Sequence, residues 1–179
     1  YLPEWWAKVQ AIPNPIRRDM HTLGILSGLR HGTLVSLRRE WVNLKEKAIS
    51  IPRMKSGRSF DLPLSDYMVT LVQRVMDTCD VLYPGSPWLF PTRSTKTRGI
   101  IVTQVWKEKC LPSETGHILR HTYRTIAQRA CIDKIEARLL LCLGVGRPNR
   151  VLGQHDRHGA LQSNTTLPTV LLLARWAKA

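Results

Sequence analysis

The stretch from Trp41 to Leu64 constrains the fold most. Short extended runs are separated there by two polar turns. Trp41-Val42-Asn43-Leu44 reads as the edge of a strand, and Lys45-Glu46-Lys47 as a turn. Ala48 to Pro52 is rich in β-formers, Lys55-Ser56-Gly57-Arg58 makes the second turn, and Ser59 to Leu64 closes the set. The pattern predicts a small antiparallel sheet of three strands.

Helices surround this sheet in sequence. Ile16, Met20, Leu23 and Leu26 recur at helical spacing, and Gly28 ends that helix. Leu34, Val35 and Leu37 give a short second helix. Pro63-Leu64-Ser65-Asp66 launches a third, with Met68, Leu71, Val72 and Val75 as its apolar face. Thr103 to Lys109 reads as a short helix, followed by His117 to Ala130 and Asp133 to Leu143. Tyr1 to Pro15, with its three prolines, reads as a linker or entry segment. Tyr83 to Gly99 reads as loop. There are no internal repeats. The predicted class is mainly α with a small three-stranded antiparallel sheet, an α+β fold.

Bulk properties point to a polyanionic partner. The 179 residues suit one domain with a real core. Lys and Arg number 27 against 13 Asp and Glu, a net charge of +14, and nucleic acid is the commonest partner of so basic a domain. A membrane surface is the rival, but no apolar run approaches the roughly 20 residues of a spanning helix. Glu4, Lys8 and the Trp5-Trp6 pair interrupt any signal-peptide core. The four cysteines, Cys79, Cys110, Cys131 and Cys142, form no C-x-x-C pair. Reduced thiols in a cytoplasmic setting are expected, with Cys131 and Cys142 as core positions and no zinc site.

His117-Ile-Leu-Arg120 is the strongest chemical signal. Residues i and i+3 share a helix face, so both side chains can reach one target. Ser113 or Thr115 offers a cap, and a helix start bearing His and Arg suits an anion. Alone, the pair also reads as a solvated helix face. It gains weight from Ser27-Gly28-Leu29-Arg30 and from Arg53-Met54-Lys55-Ser56-Gly57-Arg58.

In order and separation these segments resemble the catalytic domain of the tyrosine recombinases, the phage integrase family, from about His21 to Leu141. Gly28-Leu29-Arg30 looks like the family's first catalytic arginine. "LVSLRREWVNLKEKAISIPRMKSGRSFDLPLSD" is similar to the helix, hairpin and basic turn that follow it, with Lys55 at the place of the catalytic lysine. "HILRHTYRT" is similar to the His-x-x-Arg box. The resemblance implies DNA recombination through a 3′-phosphotyrosine. Arg30 and Arg120 would clamp the phosphate with planar forks, since charge builds on its oxygens in the transition state. Lys55 would protonate the leaving oxygen, and His117 would bond the phosphate or move the tyrosine proton. No metal or other cofactor is implied, because the arginines supply the charge. Double-stranded DNA is the implied partner, with a homo-oligomer assembled on it, and Lys45, Lys47, Arg53 and Arg58 lie in the basic turns available to its backbone. The bland alternatives are a surface arginine at Arg30, a solvated turn lysine at Lys55 and a helix-capping role at His117 and Arg120.

The chain also departs from the family. Thr33 stands where an acidic residue is frequent. Leu139-Leu140-Leu141-Cys142-Leu143 stands where a second His or Trp is expected, and the nucleophilic tyrosine is expected near Leu152. No tyrosine follows Tyr123. By helical phase Tyr123 faces away from His117 and Arg120, toward the core. Residues 1–143 therefore read as a recombinase-like catalytic domain, and 144–179 as an atypical tail in which His155 and His158 are solvated. A frameshifted or degraded end accounts for the change, with a divergent relative as the alternative. The N-terminal helical domain that usually completes the clamp on DNA is not represented. Two functions remain open, a breaking-and-rejoining domain and a DNA-binding remnant without chemistry. An RNA-binding domain lacks motif support. Trp5, Trp6, Trp41, Trp88 and Trp106 lie in apolar surroundings and are expected to pack rather than to stack on bases.

Overall fold

The structure is a computed structural model that describes residues 2–52, 57, 59–94, 101–103, 108–111 and 115–129. Arg53, Lys55, Arg58, Trp106, Cys131, Cys142, the helix expected over 133–143 and the tail over 144–179 lie outside the described residues.

Helix α2 (Pro15–Ser27) is the axis of the fold. Its start is written locally. The side chain of Asn14 accepts the Arg17 N–H at 3.1 Å, and Pro15 occupies a first-turn position where its missing N–H costs nothing. Gly28 ends it in the left-handed region, at φ 61°, with its N–H on the Gly24 carbonyl at 3.1 Å. Every residue from Asp19 to Ser27 is buried, because α1 (Leu2–Gln10), α3 (His31–Val35), α4 (Asp66–Leu82) and α5 (Thr115–Arg129) all pack against this helix.

A helix buried on all sides must satisfy its polar groups internally. Asp19 receives Arg74 of α4 through two parallel bonds of 2.8 and 2.9 Å, and Arg18 at 3.3 Å. Thr22 and Ser27 donate back to the carbonyls of Arg18 and Leu23 at 3.0 and 2.7 Å.

The three-stranded sheet forms as its pattern predicts. Strands β1 (Val42–Asn43), β2 (Ala48–Ile51) and β3 (Phe60–Pro63) are antiparallel in that order. Ile49 faces Leu62 and Ile51 faces Phe60. Ile49 and Ile51 are buried while Ser50 between them is exposed, the period-2 pattern of a half-buried strand. The first strand is shorter than expected because Arg39–Trp41 coils into a 3-10 turn. Helix α4 is capped by the Ser65 hydroxyl, which accepts the Met68 N–H at 3.3 Å. Met68, Leu71, Val72 and Val75 form its buried face, joined by Cys79, whose thiol is pushed up to about 11 by burial.

Four readings are corrected. Residues 2–10 are helix, not linker. The prolines that suggested a linker stand at the first turn (Pro3) and beyond the end (Pro13, Pro15), where helices tolerate them. Trp5 and Trp6 lean on the core, and Val9 and Ile12 are buried beside Leu111. The loop-rich segment holds a strand, β4 (Pro91–Arg93), which pairs with β5 (Ile101–Thr103) as a second small sheet. Thr103 is therefore strand rather than helix. The β-branched run Ile101-Val102-Thr103 favours this over a helical turn. Helix α5 also starts at Thr115, two residues before the expected His117.

Among the tryptophans, Trp41 packs on the core as expected, whereas half-buried Trp88 carries the Arg38 guanidinium 5.0 Å from its ring centroid. No described helix is long and apolar enough to cross a membrane.

Candidate phosphate-binding site

The candidate site is built where α2 ends, α3 begins and α5 crosses. Gly28 turns the chain out of α2. Buried Leu29 anchors the turn, and Arg30 follows as the extended residue before α3, with its carbonyl accepting the Leu34 N–H at 2.9 Å. The Arg30 side chain is half-buried.

Helix α5 packs on α2 beside Gly24 as it reaches this turn. A Cβ at Gly24 would stand 2.9 Å from Leu34 Cδ2 and 3.5 Å from Leu119 Cδ1. The first neighbour is the flexible end of a side chain and the second an ordinary contact, so α3 and α5 both sit close on this patch of α2, with Leu34 the tighter of the two. Buried Leu119 fills that space, and its neighbour Arg120 donates from Nη1 to the carbonyl oxygen of Gly28 at 2.7 Å. The two arginine-bearing segments, distant in sequence, are thus bonded to each other. The fork of Arg120 is held in orientation by the turn that carries Arg30.

His117 is exposed on the first turns of α5, three residues before Arg120. Its Nε2 lies 3.1 Å from Nε2 of His121, with the rings edge-on at 74°. Tyr123 is buried, 2 % exposed, as its helical phase predicts.

The basic turn is described only in part. Lys45 and Lys47 are exposed in the β1–β2 turn. Lys47 takes a positive φ of 48° and pairs with Asp66 at 2.7 Å across the exposed surface, a contact that a phosphate can replace. Lys55, Arg53 and Arg58 belong to the β2–β3 connection outside the described residues.

Behind the arginine turn lies a buried polar cluster that the sequence did not announce. Glu108 pairs with Arg17 and stands 3.7 Å from Nε2 of His21. Burial lowers His21 to about 4, with Glu108 opposing the shift and Arg17 adding to it. His31, next to Arg30, is lowered to about 4 by burial and then by His21. Both imidazoles are neutral at pH 7 and support the turn without adding charge. Gly24 and His121 were also missed. A glycine inside a helical pattern was the available signal for the first, and a histidine four residues after His117 for the second.

A helical bundle around a buried axis, a small antiparallel sheet, and two arginine segments bonded at one turn define a tyrosine recombinase catalytic-domain fold. The chain belongs to the phage integrase family, whose model matches residues 10–139. Among solved structures it is similar to the XerH site-specific recombinase bound to difH substrate in a pre-cleavage complex, with a TM-score of 0.60 at 17 % identity. That match covers 96 % of this chain and 49 % of the other, so the chain spans about half the length of that recombinase. No curated protein sequence matches the chain.

Proposed function

We propose that this chain is the DNA-binding catalytic domain of a site-specific recombinase or integrase, and that it binds duplex DNA without cleaving it as the sequence stands. The observation that carries the reading is the bond between Arg120 and Gly28, which joins the His-x-x-Arg segment to the turn bearing Arg30. In this reading Arg30 and Arg120 clamp one phosphate, His117 bonds it from the same helix, and Lys55 approaches on the β2–β3 connection as proton donor. Lys45, Lys47, Arg53 and Arg58 hold the flanking backbone. Fixed guanidinium forks stabilise charge that develops on a phosphate without reorganising at the moment of reaction.

In this reading cleavage is not expected, because no nucleophile is placed among the described residues. No tyrosine follows Tyr123, and Tyr123 is buried. Charge stabilisation does not replace an attacking hydroxyl. Homo-oligomers on DNA, a cytoplasmic setting, independence from metals and cofactors, and the division into a domain over 1–143 and an atypical tail over 144–179 belong to the same proposal. The test is fluorescence anisotropy with a labelled duplex, using the intact chain and the Arg30→Ala and Arg120→Ala variants. Weaker binding in both is expected, and unchanged binding in both would overturn the reading. The second reading, a scaffold that keeps DNA binding and no chemistry, predicts the same binding and differs only if a nucleophile is supplied from outside the chain.

A further inference from the structure

The pair His117 and His121 has a geometry the phosphate reading does not use. Both imidazoles are exposed, stand one helical turn apart on α5, and bring their Nε2 atoms within 3.1 Å of each other. Nitrogen ligands of Zn²⁺ lie about 2.0–2.1 Å from the ion, and two such bonds at a tetrahedral angle span roughly 3.3–3.4 Å. The observed separation is within a few tenths of an ångström of that span. Histidines four apart on one helix face are a recurrent way of gripping a transition metal ion, because the helix delivers the second ligand wherever the first has bound.

We propose that His117 and His121 form a solvent-open chelate for a divalent transition metal ion of the Zn²⁺, Ni²⁺ or Cu²⁺ type. Each imidazole binds through Nε2 in its neutral form, with the proton held on Nδ1, and water completes the coordination. The chemistry of the donors sets the selectivity. Imidazole suits Zn²⁺, Ni²⁺ and Cu²⁺, and the divalent ions should rank Mn²⁺ below Ni²⁺ below Cu²⁺, whereas Mg²⁺ prefers oxygen. The nearest charges on the helix do not block the ion. The Arg120 guanidinium is drawn to the Gly28 carbonyl, and exposed Arg124 is screened by salt. The site shares His117 with the DNA reading but does not rest on it, and it is tested without nucleic acid.

The experiment is isothermal titration calorimetry of NiCl₂ into the full chain, in mildly alkaline, chelator-free buffer. The variants are His121→Gln, His117→Gln and a His155→Gln/His158→Gln control for the tail histidines. A saturable site is expected in the intact chain and in the tail control, with MgCl₂ giving no such isotherm. Losing one imidazole removes an intramolecular ligand, so either single variant should bind at least about tenfold more weakly. A nickel-dependent rise in the unfolding temperature should accompany binding in the intact chain and be absent from His121→Gln. Both residues are exposed, and far-UV circular dichroism checks that the variants keep their helices. An isotherm unchanged by His121→Gln, or no saturable nickel site in the intact chain, overturns the proposal.

Discussion

Nη1 of Arg120 lies 2.7 Å from the carbonyl oxygen of Gly28, so a residue of α5 is bonded to the turn at the end of α2 that precedes Arg30. The two arginines should therefore differ in what they do for the fold. Arg120→Ala removes a charge-assisted bond to a buried turn and should cost about 1.5–3 kcal/mol in urea unfolding. The Arg30 side chain makes no hydrogen bond or ion pair with the described residues, and Arg30→Ala should stay within about 0.5 kcal/mol of the parent. Equal destabilisation by the two variants would show that the bond does not anchor α5.

Gly24 is the contact point of three helices. A Cβ there meets the flexible end of Leu34 first, at 2.9 Å, so Gly24→Ala can be absorbed by a small rotation and should be nearly neutral. Gly24→Val has no such escape and should cost about 1–3 kcal/mol through overpacking. Chemical denaturation compares the two, and a valine variant as stable as the alanine one would mean that α5 is not packed tightly on α2.

The net charge of +14 makes DNA binding salt-dependent in the proposed function. If about six phosphates are contacted, affinity should fall by roughly 10³-fold between about 50 and 200 mM salt. Anisotropy titrations at several salt concentrations measure the slope, and a flat response rules out a phosphate-dominated interface.

Covalent capture is expected to fail. A nicked suicide substrate should be bound, yet show no protein-linked band on a denaturing gel, because a buried Tyr123 does not reach the phosphate. A linked band that vanishes in Tyr123→Phe would make Tyr123 the nucleophile and reverse this prediction.

Stability should depend on acid through His21. Burial lowers its pKa from 6.5 to about 4 in the fold, beside Glu108, Arg17 and His31. Between these values the unfolded chain binds a proton that the folded chain does not. Stability is thus fully present above pH 6.5 and is lost as pH falls toward 4, by about 3 kcal/mol for this one residue. The shift at His31 acts in the same direction. Urea midpoints measured across this range should drop steeply in the parent and less in His21→Asn. Parallel profiles would place the acid sensitivity elsewhere.

Local pattern determined much of this protein. The start of α2 at Asn14-Pro15, its end at Gly28, the alternation of Ile49-Ser50-Ile51 and the Ser65 cap of α4 are short-range effects, and each reads directly from neighbouring residues. The two segments of the His-x-x-Arg and Gly-Leu-Arg type were legible for the same reason. Other features were decided by what packs against what. Residues 2–10 are helical although they carry prolines, because Trp5, Trp6 and Val9 bury a face that local propensity does not see. Strand β5 needed β4 as its partner, and neither is convincing alone. The bond from Arg120 to Gly28 and the meeting of His21, His31 and Glu108 join residues from distant parts of the chain. Sequence spacing carries no information about such contacts. The bond from Arg120 exists because helix α5 rests on helix α2 beside Gly24, and that close approach is a property of the packed interior.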